Sequence, residues 1–391
     1  MDESKCSTST WAAMVSQLPD PRARRGRRYA WASLVVLVCA AVASGQQTGA
    51  AMAQWVAEHA VEWQQWVPST QGRVPSAATL RRVLRHLDAP VLEACLAAWT
   101  TAQQPKPRPA RRGRQRQAGL RAVALDGKAL RGTYAHGAPL HLVSLVTHER
   151  VQVLGQLAVA DKSNEIPAGR TLLRGRDWHG WVVTLDALQT QRATAELILA
   201  HGGHYLMVVK ANQPDLCAML QEWFAEPAWA DEGEAQVTTS DKGHGRFERR
   251  TLTRRVFSAR EAADWPGARQ ALRRVCWRRD LATGREAQAL TYAVTSLAPA
   301  QASAAQLEAW WRGHWHIENQ LHYVRDVTCR EDAGQAHVGA TAHILAALRN
   351  GLLSLLRRLG WTNMAAGFRH VAASVAHVFT VLGCPVPATC M

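Results

Sequence analysis

Hydrophobic positions recur at three-to-four spacing along the first hundred residues, and this spacing predicts a helical region. The most apolar stretch covers residues 31–44, and a second segment with helical spacing covers residues 48–66. Because residues 31–44 are apolar on every side, we expect a helix buried in the core of this region.

A further helix is predicted directly after Ser76, which is placed as its N-cap. Its leucines and its valine share one face, whereas Arg81, Arg82 and Arg85 lie on the other. Such a basic face is typical of a helix that enters a DNA groove, and equally of an ordinary amphipathic helix with a solvated face.

Beyond residue 120 the hydrophobic period changes from 3.6 to 2, which indicates strands. Strands are predicted at 122–125, 140–147, 151–160, 181–185 and 205–209, with helices at 167–173 and 190–200. Three consecutive strands followed by alternating helix and strand predict an α/β fold, a mixed sheet with flanking helices. The chain has no G-x-G-x-x-G after the first strand and no P-loop motif, so we expect no nucleotide cofactor.

Two segments interrupt or follow this pattern. Residues 101–120 are rich in basic residues and proline and predict an extended linker. Residues 229–300 contain many arginines and short strand-like runs at 237–240, 247–256 and 290–295, which predicts a separate β-rich insertion. Helical spacing returns in residues 301–391.

The charge of the chain favours a polyanionic partner. Its 391 residues contain 46 Lys and Arg against 31 Asp and Glu, a formal net charge of +15 with a pI near 10.1. Nearly half of the residues are hydrophobic, which is typical of a globular protein. We therefore expect the basic residues to lie on the surface of a folded protein. Nucleic acid is the first candidate partner.

Neither a membrane segment nor a disulfide framework is indicated. The apolar stretch 31–44 is shorter than the ~20 residues that span a bilayer, and it begins too late for a signal peptide. The eight cysteines form no C-x-x-C pair, so we expect reduced thiols, several of them in the core. A cytoplasmic protein without a membrane partner is the resulting expectation.

Two acids end short apolar strands, Asp126 in VALDGK and Asp186 in VVTLDAL. A carboxylate in such surroundings is costly unless it is paired, hydrogen-bonded or bound to a cation. Each taken alone fits a turn or helix cap. Together, at corresponding strand ends, they predict an oxygen-rich site suited to Mg²⁺ or Mn²⁺.

The segment EAWWRGHWHIENQLHYVRDVTCRED contains a third candidate acid. Read as a helix, it brings Trp311, His314, Glu318 and Arg325 to one side. Glu318 among cationic groups suits a two-metal phosphoryl-transfer site, whereas the alternative is a surface helix with internal ion pairs. The histidine spacing matches no standard zinc site.

These acids and their contexts resemble the DDE transposases of bacterial insertion sequences, in the branch that includes the H-repeat-associated proteins. The resemblance covers nearly the whole chain and is carried, in order, by LPDPRARRGRRY, PSAATLRRVLRHLD, ALDGKALRG, DKSNEIPA, VVTLDALQTQ, HYLMVVKANQP, HGRFERR and RGHWHIENQLHYVRDVTCREDA.

The resemblance implies an RNase H-like catalytic core at 121–228 and 301–391, a β-rich insertion at 229–300 and an N-terminal helical DNA-binding region at 1–100. Carried over, Asp126, Asp186 and Glu318 form the catalytic and metal-binding triad for two Mg²⁺ ions, with Mn²⁺ as a substitute. Where the wider superfamily carries Tyr, Arg and Lys around its glutamate, this chain has Trp311, His314 and Arg325. The remaining expected site residues are the phosphate-gripping Lys128, Lys210, His314 and Arg325, the DNA-binding Arg81, Arg82 and Arg85, and the supporting Asn164, Glu165 and Asn319.

The implied function is cut-and-paste DNA transposition, with cleavage at the transposon ends followed by strand transfer into target DNA. The expected partners are the terminal inverted repeats, the target DNA and a second copy of the chain when two ends are brought together, and the expected location is the nucleoid. The alternative is a catalytically inactive, domesticated DNA-binding protein, which would bind DNA with steep salt dependence and without need of Mg²⁺.

Overall fold

The computed structural model of this chain describes residues 10–25, 27–67, 72–104, 119–136, 139–159, 164–225, 235–258, 260–261, 265–334 and 339–385. Most of the predicted linker, residues 105–118, lies outside them, as do residues 161–163 of the DKSNEIPA motif.

Helices occupy the first part of the chain, and side-chain caps fix where several of them start. They are α1 (Trp11–Ser16), α2 (Trp31–Ala43), α3 (Gly49–Glu58), α4 (Ala60–Trp63), α5 (Ala77–His86) and α6 (Ala89–Ala102). The side chains of Thr10, Thr48, Ser76 and Asp88 accept hydrogen bonds from backbone N–H groups in the first turns of α1, α3, α5 and α6. Helix α2 is buried along nearly its whole length, which accounts for its uniformly apolar sequence.

A nine-stranded mixed sheet forms the centre of the molecule. Its strands are β1 (Arg121–Leu130), β2 (Leu140–Thr147), β3 (Val153–Val159), β4 (Trp181–Leu185), β5 (His204–Val209), β6 (Ala235–Gly243), β7 (Arg246–Val256), β8 (Gln270–Asp280) and β9 (Glu286–Thr295). They lie side by side in the order β3-β2-β1-β4-β5-β9-β8-β7-β6. Strands β1, β4 and β5 run parallel, and every other neighbouring pair is antiparallel.

Helices cover both faces of this sheet. On one face, α7 (Glu165–Leu173), α8 (Arg192–Ala200) and α9 (Pro214–Ala225) bury a core that contains Leu125 and Leu185. On the other lie α10 (Ala304–Gly313), the π-helical turn Ile317–His322, α11 (Tyr323–Val327) and α12 (Thr341–Arg358), followed by α13 (Met364–Ala372) and α14 (Val375–Val381). Alternate residues of β1, β4 and β5 therefore face different helices.

The first hundred residues share one hydrophobic core with the C-terminal helices. The Ala12 N–H donates to the Leu382 carbonyl at 2.9 Å. A Cβ added at Gly351 in α12 would lie 2.1 Å from the Trp11 ring, so only glycine permits this contact. The predicted division at residue 100 therefore separates segments of the chain that pack together.

The predicted β-rich segment 229–300 is built of β6 to β9, but these strands are not a separate body. Strand β9 pairs with β5, so the four strands extend the central sheet. Strand β8 was not among the predicted runs, because its arginines hide the alternation. Its pairing with β7 and β9 along its whole length supplies what the local sequence lacks.

The described residues bear on the expectations about membrane segments and about cysteines. Among the described helices, none is both long and apolar enough to cross a membrane. The six cysteines that the structure describes are unpaired, and Cys39, Cys276 and Cys384 are buried.

Candidate active site

Asp126 and Asp186 are brought together by the register of two parallel strands. Strands β1 and β4 pair up to Leu125 and Leu185, and the two aspartates are the next residues on each strand. Asp126 does not end its strand, as the sequence predicted, because β1 continues its antiparallel pairing with β2 as far as Leu130. Only the neighbour β4 ends at this point.

Glu318 approaches the aspartates from the helical segment that covers this face. It lies in the π-helical turn Ile317–His322, whose Ile317 and Leu321 are buried in the core while Glu318 and Asn319 are exposed. Single π-helical turns occur frequently at functional sites. Here the turn keeps two apolar anchors in the core and leaves the carboxylate at the surface of the site.

The carboxylates act on one another electrostatically. Burial, and then the charge of Asp186, raises the pKa of Asp126 to about 8; the charges of Glu318 and Glu165 add to this, and a hydrogen bond from the Gly127 backbone opposes it. The pKa of Glu318 is raised by partial burial and by Asp186. The site is therefore a cluster of acids in which full ionisation is unfavourable without a cation.

Glu165 stands at the start of α7, directly after Asn164. It is 6% exposed, and the Nδ1 of His141 lies 3.2 Å from its Oε1. Asp186 in turn accepts a hydrogen bond from the Gln189 backbone N–H at 3.0 Å, which orients its carboxylate at the start of the loop.

His322 completes the wall of the site next to Asp126. Its Nδ1 lies 3.8 Å from an Asp126 carboxylate oxygen, and its buried Nε2 has no hydrogen-bond partner. Burial, followed by the nearby charges of Arg325 and Lys128, lowers the pKa of His322 well below its ordinary value. Protonation of this imidazole next to Asp126 is therefore disfavoured.

A buried histidine layer lies beneath Asp186. The Thr184 hydroxyl donates to the Val123 carbonyl at 3.0 Å, so its lone pairs face His148 Nε2 at 2.9 Å and His314 Nδ1 at 3.0 Å. Both imidazoles then donate N–H groups to this oxygen. Burial lowers the pKa of His148 to about 3 and that of His314 to about 4. His314 was expected to contact phosphate, and its position contradicts this, because its ring is buried against Thr184.

Lys128 and Arg325 were also predicted to grip phosphates, and their positions contradict this. Lys128 is buried, with its Nζ 2.7 Å from both carboxylate oxygens of Asp326 and 3.6 Å from Asp332. Arg325 is 0% exposed and bonds to Glu331.

The Arg325 guanidinium belongs to a larger buried polar network. Besides Glu331, it contacts Gln156 of β3 at 3.2 Å and Asn350 of α12 at 3.3 Å. Arg349 contacts the other Glu331 oxygen at 3.0 Å. Lys128 and Arg325 are thus both paired with carboxylates of the protein itself. Their contacts fasten the segment after Glu318 to β1, β3 and α12.

The remaining predicted cations are at the surface. Lys210 is exposed just beyond the end of β5, on the same edge as Asp186. In α5, Leu80, Val83 and Leu84 are buried while Arg81, Arg82 and Arg85 are exposed. The stem of Arg81 also packs over Gly49 of α3, where a Cβ would lie 2.7 Å from it.

The tryptophans of the Glu318 region divide between core and surface. Trp311 is fully buried beneath the guanidinium of Arg274, 4.3 Å from its ring centroid. Trp315 is about half exposed.

The donor set fits a hard divalent cation by its chemistry. Carboxylate oxygens are the ligands that Mg²⁺ and Mn²⁺ prefer. Burial and the neighbouring acids disfavour the charged form of Asp126, and a bound cation would favour it. Within the described residues, no group of three or more His, Cys, Asp and Glu side chains is arranged to hold a metal by itself. This is compatible with Mg²⁺, which usually keeps water and substrate phosphate ligands beside one or two protein carboxylates.

Several residues around the site gave no signal in the sequence. His148 follows β2 in a turn, and Thr184 and His141 lie within strands. Along the sequence, Thr184 is 36 residues from His148 and 130 residues from His314. His141 is 24 residues from its partner Glu165. Only the strand order brings such residues together.

Comparison with known proteins agrees with the motifs. Residues 102–355 match the family described as Transposase DDE domain, and residues 12–100 match the family described as DDE_Tnp_1-associated. The chain is 27% identical to the "H repeat-associated putative transposase YhhI" of Escherichia coli (strain K12) over 353 residues, 88% of this chain and 89% of that protein. It is 26% identical to the "Putative transposase YncI" of Escherichia coli O157:H7 over 352 residues, 88% of this chain and 86% of that protein.

Among solved structures, a cryo-EM structure of the piggyBac transposase synaptic complex with hairpin DNA aligns with 100% of this chain and 81% of that one. Its TM-score is 0.43 and its identity 9%, a likeness too distant to carry a conclusion. The Transposase DDE domain match covers well over half of the chain, and relatives of the H-repeat-associated branch match over most of their length. The protein therefore belongs to the DDE transposase family.

Proposed function

We propose that this chain is an active transposase that cleaves DNA at the ends of its own element and transfers the freed strand ends into target DNA. The observation that carries the proposal is the register of β1 and β4, which sets Asp126 beside Asp186 within the electrostatic reach of Glu318. These three acids are the ones that the family resemblance implies as the catalytic triad.

We further propose that β1 to β5 with their helices form an RNase H-like catalytic core. The support is the order β3-β2-β1-β4-β5, with the first three strands antiparallel and β1, β4 and β5 parallel. This arrangement delivers two carboxylates to one edge of the parallel strands, where ligands gather in open sheets.

Asp126, Asp186 and Glu318 would hold two Mg²⁺ ions, for which Mn²⁺ can substitute. Bound there, the ions would supply a lowered pKa for an attacking water or hydroxyl and charge stabilisation at the phosphate. The chain's own contribution is to fix the carboxylates. Gln189 orients Asp186, and the buried contacts of Lys128 and Arg325 anchor the segment that follows Glu318.

DNA binding is proposed for the exposed cations. Arg81, Arg82 and Arg85 present charge on α5, and Lys210 presents it at the edge of the acidic cluster. Cations at such positions would neutralise phosphates and give a salt-dependent affinity. Asn164 and Asn319 remain candidates for supporting the site, and a homodimer is proposed when two ends are brought together.

The test uses the full-length protein, Mg²⁺ and a duplex that carries the element's own ends. We expect cleavage that disappears on omission of Mg²⁺ and falls at least about 10³-fold in the Asp126→Asn, Asp186→Asn and Glu318→Gln variants. Glu196→Gln, at an exposed acid of α8, is the matched control and should cleave as the wild type does.

Undiminished cleavage by any of the three variants would remove that residue from the triad. Salt-dependent binding of the ends without cleavage, indifferent to Mg²⁺ and to the three substitutions, would instead support a DNA-binding protein without catalysis.

A further inference from the structure

We propose that Glu165 is a fourth carboxylate that faces the metal ions, and not merely a support of the triad. The inference rests on the proposed function, since it concerns the same acidic site. It assigns to α7, which covers the opposite face of the sheet, a direct part in holding an oxygen-preferring divalent cation.

The first observation is a cradle at Gly127, the residue after Asp126. A Cβ added there would lie 2.4 Å from Oε2 of Glu165 and 2.7 Å from its Oε1. Any side chain at residue 127 would displace this carboxylate. Because glycine leaves the space open, the Glu165 carboxylate packs directly against β1 at the residue next to Asp126.

A second observation is that one glutamine links Glu165 to Asp186. The Gln189 backbone N–H donates to Asp186 Oδ1 at 3.0 Å, and its side-chain Nε2 donates to the Glu165 carbonyl at 3.0 Å. Gln189 is 1% exposed, so this bridge is held by packing. The positions of the Glu165 backbone and the Asp186 carboxylate are therefore set together.

Two further polar groups lie close to Asp126. The Glu165 carboxylate packs against Gly127, the next residue along β1. The buried Nε2 of His322 has no partner, while its ring lies next to Asp126.

The contact with His141 explains how Glu165 is aimed. Its Oε1 lies 3.2 Å from the Nδ1 of His141 in β2, which fixes one oxygen of the carboxylate. Strand β2 pairs with β1 at this level, His141 opposite Ala129. Carboxylates that bind metal ions in proteins are themselves hydrogen-bonded to a second group that orients them, and His141 is such a group for Glu165.

The test measures Mn²⁺ binding by the full-length protein, from the electron paramagnetic resonance signal of free Mn²⁺, with and without end DNA. We expect Glu165→Gln and Gly127→Ala each to weaken Mn²⁺ binding about tenfold or more. Glu308→Gln, at a buried acid on α10, and Gly155→Ala, at a glycine of β3 beside Leu172, are the matched controls and should bind as the wild type does. Circular dichroism and thermal unfolding establish that each variant is folded.

A ligand is separated from a positioning residue by Glu165→Cys. A thiolate in direct contact would favour the soft ion Cd²⁺ over Mn²⁺. It would also add a thiolate–Cd²⁺ absorption band above the background that the free cysteines give in the wild type and in Glu308→Cys. A folded Glu165→Cys protein without this band, or a Glu165→Gln protein with wild-type Mn²⁺ affinity while Asp126→Asn loses binding, overturns the inference alone. A wild type that binds no Mn²⁺ in either condition overturns the proposed function as well.

Discussion

Glu331 is the acid on which the buried network behind the site depends, so its neutralisation should destabilise the whole protein. It accepts from Arg325 Nε at 2.8 Å and from Arg349 Nη1 at 3.0 Å, and its side chain is 4% exposed. In Glu331→Gln both arginines keep their charge in the core without a counter-charge. Breaking a buried ion pair in this way costs about 3–5 kcal/mol, a large part of the ~5–15 kcal/mol by which proteins are stable.

The matched control is Glu286→Gln at the half-exposed pair between Arg279 and Glu286, whose closest atoms are 4.0 Å apart. A surface pair contributes about 0–1 kcal/mol, so this change should be nearly neutral. The assay is urea unfolding of both variants and the wild type, followed by circular dichroism. If the two substitutions lower the free energy of unfolding equally, the reasoning about the buried network is refuted.

The same network predicts acid sensitivity. Burial alone would raise the pKa of Glu331, but the guanidinium groups of Arg325 and Arg349 outweigh it and hold the pKa below its ordinary value. A carboxyl group with a lowered folded pKa stabilises the fold above its unfolded pKa, and this contribution is lost as the pH falls through the folded value. Unfolding experiments below pH 4.5 should therefore show a steeper loss of stability in the wild type than in Glu331→Gln.

Three further outcomes follow from the contacts of the site. Lys128→Met should leave the salt dependence of DNA binding unchanged in EDTA, because Lys128 is paired internally. Lys210→Met should instead reduce the slope of log K against log salt by about 0.9. A reduced slope in Lys128→Met would show that Lys128 contacts phosphate after all. Asp126→Asn should make the metal-free protein more stable at pH 8 and flatten its loss of stability between pH 4 and 8, because the raised pKa means that the folded state holds an extra proton there. An unfolding midpoint that still falls as steeply with pH in this variant would contradict that assignment. Thr184→Val should cost about 2–4 kcal/mol in urea unfolding, since two imidazole N–H groups and the Val123 carbonyl lose their partner; a change below about 0.5 kcal/mol would mean that these bonds are not formed.

Local signals in the sequence identify the ends of elements and the chemistry of single residues. Ser76 marks the start of α5 because a short hydroxyl side chain satisfies a free backbone N–H, whatever the rest of the protein does. The apolar runs that contain Val183 and Leu206 predict buried strands for a similarly local reason, the period of the backbone. The motifs around Asp126, Asp186 and Glu318 are also continuous in sequence, so the family could be identified from them.

What each charged side chain touches was decided by the tertiary structure alone. Lys128 and Arg325 look like phosphate contacts in the sequence, yet their carboxylate partners come from a segment that folds back onto β1 and α12. The pKa of His314 is lowered because its ring is buried against Thr184, 130 residues away.

Strand pairing explains the remaining differences. A residue's partners across a sheet depend on strand order and register, which involve distant parts of the chain, so β8 and the continuation of β1 beyond Asp126 were not visible locally. The sequence by itself therefore determined the family and most of the elements, and it supplied the acids that are proposed as the triad. The fold decided which charges are free for a ligand, because burial and pairing are properties of the packed chain.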